Sequence, residues 1–200
     1  MPLTVATRNT LLDGLDALVT HLSLHSAYSS TGANELTGGS PAYARKAASW
    51  SAAASGVKSL SAGVTFDVPG GSTTVAFVGL WSAITAGTFR GMFPLGNSGY
   101  KEVQVDVTAN TIISEAHGFA NADRVVFLNG TAPGGLTEGT LYWVVGAATD
   151  TFQVSASQGG AAIDLTSDGG ADVFVSKLVP ETYAGQGTHT VNDIDYSLPG

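Results

Sequence analysis

Four histidines, sixteen acidic residues and no cysteine bound the chemistry this chain can attempt. Without a thiol there is no disulfide, no zinc–thiolate site and no cysteine nucleophile. His21 and His25 stand four residues apart in HLSLH, a spacing that brings two imidazoles together on a helix. Leu22 and Leu24 alternate with polar residues there, which is the period of a strand, and on a strand the two rings sit roughly 13 Å apart. No metal is expected at that pair, and no metalloprotease helix with paired histidines and a glutamate occurs. The run Asp164, Asp168, Asp172 in DLTSDGGAD comes nearest to a calcium loop. An EF-hand needs acids at alternating positions, a central glycine and a closing glutamate, so spacing by four fails it. Nucleophilic hydrolysis on a Gly-x-Ser-x-Gly elbow is not encoded. His117 reads as a backbone hydrogen-bond partner in a Gly-Phe turn, and His189 as a structural member of a closing strand. VPGGSTT lacks the lysine and following helix of a phosphate loop, and Asn129-Gly130-Thr131 reads as a turn. No pair of carboxylates is singled out for glycoside hydrolysis. The expectation is therefore a protein with no catalytic residue, no metal site and no cofactor.

The bulk composition points the same way. Charged residues make up 12 % of the chain and hydrophobic ones 44 %, with 26 glycines. That mixture suits short strands joined by tight turns, and surfaces solvated by hydroxyls or covered by other copies or partners. The formal net charge is −8, with only 8 Lys and Arg and no basic cluster, so nucleic acid is not an expected partner. MPLTVATRNTLLDG lacks the basic start and unbroken apolar core of a signal peptide. No run of about 18 apolar residues occurs, so no membrane insertion is expected. Synthesis and assembly in a cytoplasm follow as the expectation.

The elements that would position these residues are mostly strands. Residues 4 to 19 predict one helix, capped by Thr4 or Thr7, with Leu11, Leu12, Leu15, Leu18 and Val19 on one face. Gly14 weakens its centre by roughly 1 kcal/mol relative to alanine. HLSLH then predicts a half-buried strand. A turn-rich loop leads into a strand from Ala42 to Trp50, followed by Val57 to Val68 as one strand or a broken pair. Pro69, Gly70 and Gly71 turn the chain. Thr73 to Trp81, apolar on both faces, predicts a central strand, and Pro94 places Phe89 to Leu95 at an edge. Trp50, Phe66, Phe77, Trp81, Phe89 and Phe93 are the expected core of this lobe, with an aromatic sugar box as the sharper alternative. From Tyr100 the cadence becomes short strands about ten residues apart, that of a small β-barrel. Ile112, Val125, Phe127, Leu141, Trp143, Val145, Phe152, Val154, Ile163, Leu165, Val173 and Val175 are its expected core. Thr188 to Leu198 then reads as one extended segment outside that cadence.

The stretch TGANELTGGSPAYARKAASW (Thr31 to Trp50), with LSLH before it and two aromatic-rich strands after it, resembles the minor tail or "tail fibre" virion proteins of tailed bacteriophages, especially phages of actinobacteria. His117-Gly118-Phe119, Asn121, Asp123, Val125, Gly139-Thr140, Tyr142, Val144, Phe152 and Val154 are similar to a second module over roughly residues 104 to 177. It is the β-barrel half-domain beside the catalytic cysteine in ubiquitin-activating enzymes, and no chemistry transfers to a chain without cysteine. The resemblance implies a mainly β fold: an N-terminal helix plus a β-sandwich or jelly-roll-like domain, 1–100 together with 179–200, for attachment to the virion. A small β-barrel presentation domain, 101–178, would be inserted into it; two consecutive domains with a trailing arm are the plainer alternative. The implied function is a non-enzymatic virion structural protein, tail-fibre, minor tail or capsid-decorating in type. Its partners would be other copies, as a trimer or ring, and other virion proteins. The alternative is a carbohydrate-binding module for a host surface glycan, with Phe119, Tyr142 and Trp143 as stacking platform; an outward Trp143 favours it and a buried one favours scaffolding.

Overall fold

The computed structural model describes residues 3–96 and 99–198. In chain order the elements are α1 (Val5–Asp13), α2 (Leu15–Leu18), β1 (His21–His25), β2 (Lys46–Ala47), β3 (Val57–Ser59), β4 (Val64–Val68), β5 (Thr73–Val75), β6 (Phe77–Trp81) and β7 (Phe89–Pro94). There follow β8 (Lys101–Glu102), β9 (Gln104–Asp106), β10 (Thr111–Ile113), β11 (Arg124–Leu128), β12 (Leu141–Val145), β13 (Thr151–Ser155) and β14 (Phe174–Lys177). The last three are β15 (Glu181–Tyr183), β16 (Gly187–Val191) and β17 (Asp195–Ser197). The fold is mainly β, and the chain forms two compact units, Met1–Phe93 with Glu181–Gly200, and Pro94–Pro180.

The first unit is consistent with a β-sandwich. Its four-stranded antiparallel sheet has the order β2-β1-β6-β7. Three two-stranded ladders nest one inside the next, β5 with β15, β4 with β16 and β3 with β17. Every residue of β6 is buried, as the apolar residues on both of its faces require. β1 is central too, with four of its five residues buried, rather than half-buried as its alternation predicts. The stretch read as one strand from Thr73 to Trp81 breaks at Ala76, whose N–H donates to the His25 carbonyl. On one side of that break β5 pairs with β15, and on the other β6 pairs with β1. The expected strand from Ala42 to Trp50 shrinks to Lys46–Ala47. The ladder cannot continue along β1 because the Leu24 N–H donates to the Tyr43 hydroxyl instead, at 2.7 Å. Of the expected core aromatics, Phe66, Phe77 and Trp81 are buried, whereas Trp50, Phe89 and Phe93 are half-buried.

The single helix expected over residues 4 to 19 is interrupted at Gly14, whose N–H closes on Leu11 and Leu12 carbonyls. Thr4 caps its start by accepting the Thr7 N–H. Only Leu12 and Val19 of the five expected apolar contacts are buried; Leu11 and Leu18 are exposed at 55 % and 43 %. An ionic anchor holds the helices instead. Lys58, fully buried on β3, reaches Asp13 at 2.9 Å and Asp16 at 3.0 Å. Burial opposes the charge on Lys58, yet the two carboxylates outweigh it and raise its pKa.

In the second unit seven strands form one sheet in the order β8-β14-β11-β12-β13-β10-β9. The expected closed barrel is corrected to an open sheet, because its two edges, β8 and β9, do not pair with each other. They are successive pieces of one segment parted by Val103. The sheet must therefore curl until its edges meet at that residue, and it encloses a core of its own. Ile112, Val125, Phe127, Phe152, Val154, Leu165, Val173 and Val175 lie in that core as their spacing predicts, with Ile163 packed against it. Along β12 the faces are reversed: Tyr142 and Val144 point inward, and Leu141, Trp143 and Val145 do not. Val125 lies opposite Tyr142 and Val154 opposite Val144, and directly opposed residues share a face.

Candidate functional site

Three polar clusters have the residue types of chemistry. The first lies inside the four-stranded sheet. His25 Nδ1 is 2.7 Å from the Ala33 carbonyl, which can only accept, so that nitrogen carries the proton. Nε2 is then an acceptor for the Ser23 hydroxyl at 2.6 Å, and the Trp81 indole N–H donates to the same oxygen at 2.8 Å. A serine beside a histidine oriented by a third group has the distances of nucleophilic catalysis. Here both side chains are fully buried, so no substrate reaches the hydroxyl. The arrangement satisfies polar groups in a core.

Burial pushes His25 below its ordinary value of 6.5, outweighing the Ala33 carbonyl and Glu35, and it pushes His21 the same way. In the unfolded chain both take up a proton near pH 6.5, whereas folded His25 resists doing so. Its contribution to stability is therefore complete above that pH and is lost as pH falls from 6.5 through the folded value. Asp13, Asp123 and Glu181, all held below the ordinary carboxylate range, add a second loss at lower pH. Thermal melts should show a constant Tm from pH 8 to 7, a decline beginning near pH 6.5 and a steeper one below about pH 4. A melting temperature unchanged down to pH 5 would contradict this account of His25.

The second cluster joins β15 to β16. The Tyr183 hydroxyl donates to Glu181 Oε2 at 2.8 Å, and His189 Nδ1 lies 3.1 Å from each of them. The bond from Tyr183 is the main reason the Glu181 carboxyl titrates low, and burial pushes Tyr183 up to about 12. The third is the loop from His117 to Asp123. His117 Nδ1 accepts the Phe119 N–H at 2.9 Å, Asn121 Oδ1 accepts from Ala147, and Asp123 Oδ2 accepts from Ala120. Asp123 also pairs with Lys177 at 2.6 Å. His117, Asn121 and Asp123 thus each accept a backbone N–H. Asp164, Asp168 and Asp172 are all exposed. Among the described residues no three His, Asp or Glu side chains gather as metal ligands.

The three expected contact aromatics are not brought together. Phe119 and Tyr142, each 6 % exposed, belong to the core of the second unit. The reason is parity: Tyr142 and Trp143 are neighbours on one strand and must face opposite ways. Trp143 alone stands on the outer face, half-buried beneath the Arg124 guanidinium, 5.7 Å from its ring centre. A stacking platform of all three is therefore corrected to one partly covered tryptophan.

A family model described as podophage GP4 fiber I protein gp80 matches residues 17–117. No curated protein and no solved structure matches the chain. The matched span runs from α2 through β7, and on past β10 of the second unit.

Proposed function

This chain belongs to the podophage GP4 fiber I protein gp80 family, a structural component of a tailed-phage virion, and from that premise we propose how it is used. It serves as a non-enzymatic fibre protein assembled in the host cytoplasm, docking to other virion proteins through the first unit and displaying the second outward. Copies associate as a closed trimer or ring, since unpaired strand edges otherwise invite open-ended association. The observation that carries a scaffolding role is the closure of the one cluster with the distances of nucleophilic catalysis: Ser23 and His25 are fully buried and bonded to each other and to the Ala33 carbonyl. Exposed Leu3, Val5, Leu11 and Leu18 at the N-terminal helices give the first unit apolar surface for docking. The likeness of the second unit to the half-domain of ubiquitin-activating enzymes is proposed for its fold alone.

Antibody labelling of intact particles tests the arrangement. Antibodies against residues 101–178 should decorate the particle in electron micrographs, and antibodies against residues 1–93 should not. Reversed labelling would overturn the orientation. Absence of the chain's peptides from purified particles would overturn the role itself.

A further inference from the structure

We propose that the outward face of α1 and α2 is where three copies of this chain meet, their helices parallel around one axis. This deepens the closed trimer or ring proposed above and rests on it. The helices sit the wrong way round for a free surface. Beside the buried Leu12 and Val19, their charged and amide side chains turn toward the fold. Arg8 Nη1 donates to the Leu198 carbonyl at 3.0 Å, Asn9 Oδ1 accepts the Gly56 N–H at 2.8 Å, and Asp13 and Asp16 hold Lys58. Leu11 and Leu18 are left outside. A helix lying on the surface of a monomer turns its polar side to water instead.

The spacing on that face names the kind of partner. Thr4, Thr7, Leu11, Gly14 and Leu18 are all exposed and follow one another at intervals of three, four, three and four. That is the period of a helix packed along another helix. Gly14 keeps right-handed helical dihedrals, φ −64° and ψ −16°, so the row passes from α1 into α2. In such packing each leucine enters a hole formed by four residues of its neighbour. For Leu11 these are Thr7, Thr10, Leu11 and Gly14, and three of the four are small.

The polar groups on this face are bonded within their own helix. The Thr4 and Thr7 hydroxyls are 2.9 Å apart, and the Thr10 hydroxyl donates to the Ala6 carbonyl at 3.1 Å. Covering them costs little desolvation. Charge then selects a second copy as the cover. The chain carries a formal net charge of −8, so its copies repel one another. A contact made by rotational symmetry sets like positions together. No residue of the row is ionisable, so here copies meet with no like charges facing.

The test is sedimentation equilibrium of the free full chain. The patch is small, so the expected association is weak, half complete at about 10–100 µM. Leu11→Glu and Leu18→Glu should each weaken it about tenfold and leave the melting temperature within about 2 °C of the parent, since both side chains are exposed. The chain has no cysteine, so a single introduced thiol reports on its own site alone. On oxidation the Thr7→Cys protein should give a disulfide-linked pair, and Thr108→Cys, at an exposed position of the second unit, should not. A parent chain still monomeric at about 500 µM would overturn the proposal and leave the face to another virion protein. Association unchanged by Leu11→Glu, or cross-linking of Thr108→Cys rather than Thr7→Cys, would overturn it as well. None of these measurements uses the particle, so their failure leaves the fibre role standing; that role falls only if the chain is absent from purified particles.

Discussion

Gly79→Ala is expected to remove about 4 kcal/mol of folding stability. Gly79 lies directly opposite Ser23 in the β1–β6 ladder. A Cβ there would fall inside contact distance of both the Ser23 hydroxyl and His25 Nε2, and within 2.9 Å of His25 Cδ2. None of those atoms can retreat. His25 is held from its other side by the Ala33 carbonyl, and Ser23 by the Trp81 indole. Overpacking a core costs about 1–3 kcal/mol, and each buried polar group left without its partner costs about 1–3 kcal/mol more. For a chain of this length the melting temperature should fall by about 10 °C, at roughly 2–4 °C per kcal/mol. Gly185→Ala is the control, since a Cβ at that position meets nothing within 4 Å. A Gly79→Ala protein melting within 2 °C of the parent, by calorimetry, would refute the packing described for this cluster.

The second large effect is at Arg45. Its Nε and Nη2 bond both oxygens of Glu35, at 2.7 to 3.1 Å. Nη1 donates to the carbonyls of Ala83 and Ala86, and the guanidinium carbon sits 3.4 Å from the centre of the Trp81 ring. One side chain thus fastens two loops onto the sheet. The pair is 12 % and 19 % exposed, so truncation leaves Glu35 with its charge largely out of water. Arg45→Ala should cost about 3 kcal/mol by the general cost of breaking a buried ion pair. Arg45→Lys should cost about 2 kcal/mol, because an ammonium keeps the charge and loses the fork and the stacking. The neighbouring pair Lys46–Asp67, at 3.3 Å and about one-third exposed on each side, sets the contrast. Lys46→Ala should cost less than about 1 kcal/mol. Urea unfolding of the three variants measures all of this, and equal midpoints for Arg45→Ala and Lys46→Ala would sink it.

Neither cluster shows in the sequence as the structure builds it. Histidine spacing suffices to set His21 and His25 apart along a strand, because strand rise is a local property. It says nothing of Ser23 and His25 meeting over Gly79, which needs β6 alongside. Lys58 is a further case: a lysine in a short strand reads as solvent-facing, and only the arrival of Asp13 and Asp16 from the helices makes its burial tolerable. The expected aromatic contacts failed at LYWVV, where every position is apolar and alternation carries no signal. Its inward face is chosen by the strands on either side.

By itself the sequence determined that this protein is β-rich, thiol-free and short of charge, with turns set by glycine, proline and asparagine. It also marked Thr73 to Trp81 as apolar on both faces, of which the part Phe77–Trp81 is buried throughout. Those are properties of composition and of neighbours within a few residues, where backbone preference and side-chain period act. The tertiary structure alone decided which strands pair, where β5 and β6 part company, which face of β12 turns inward, and which polar side chains find partners in the core. Those outcomes depend on groups far apart in the chain, and a local pattern compatible with two faces leaves the choice to whatever packs against it.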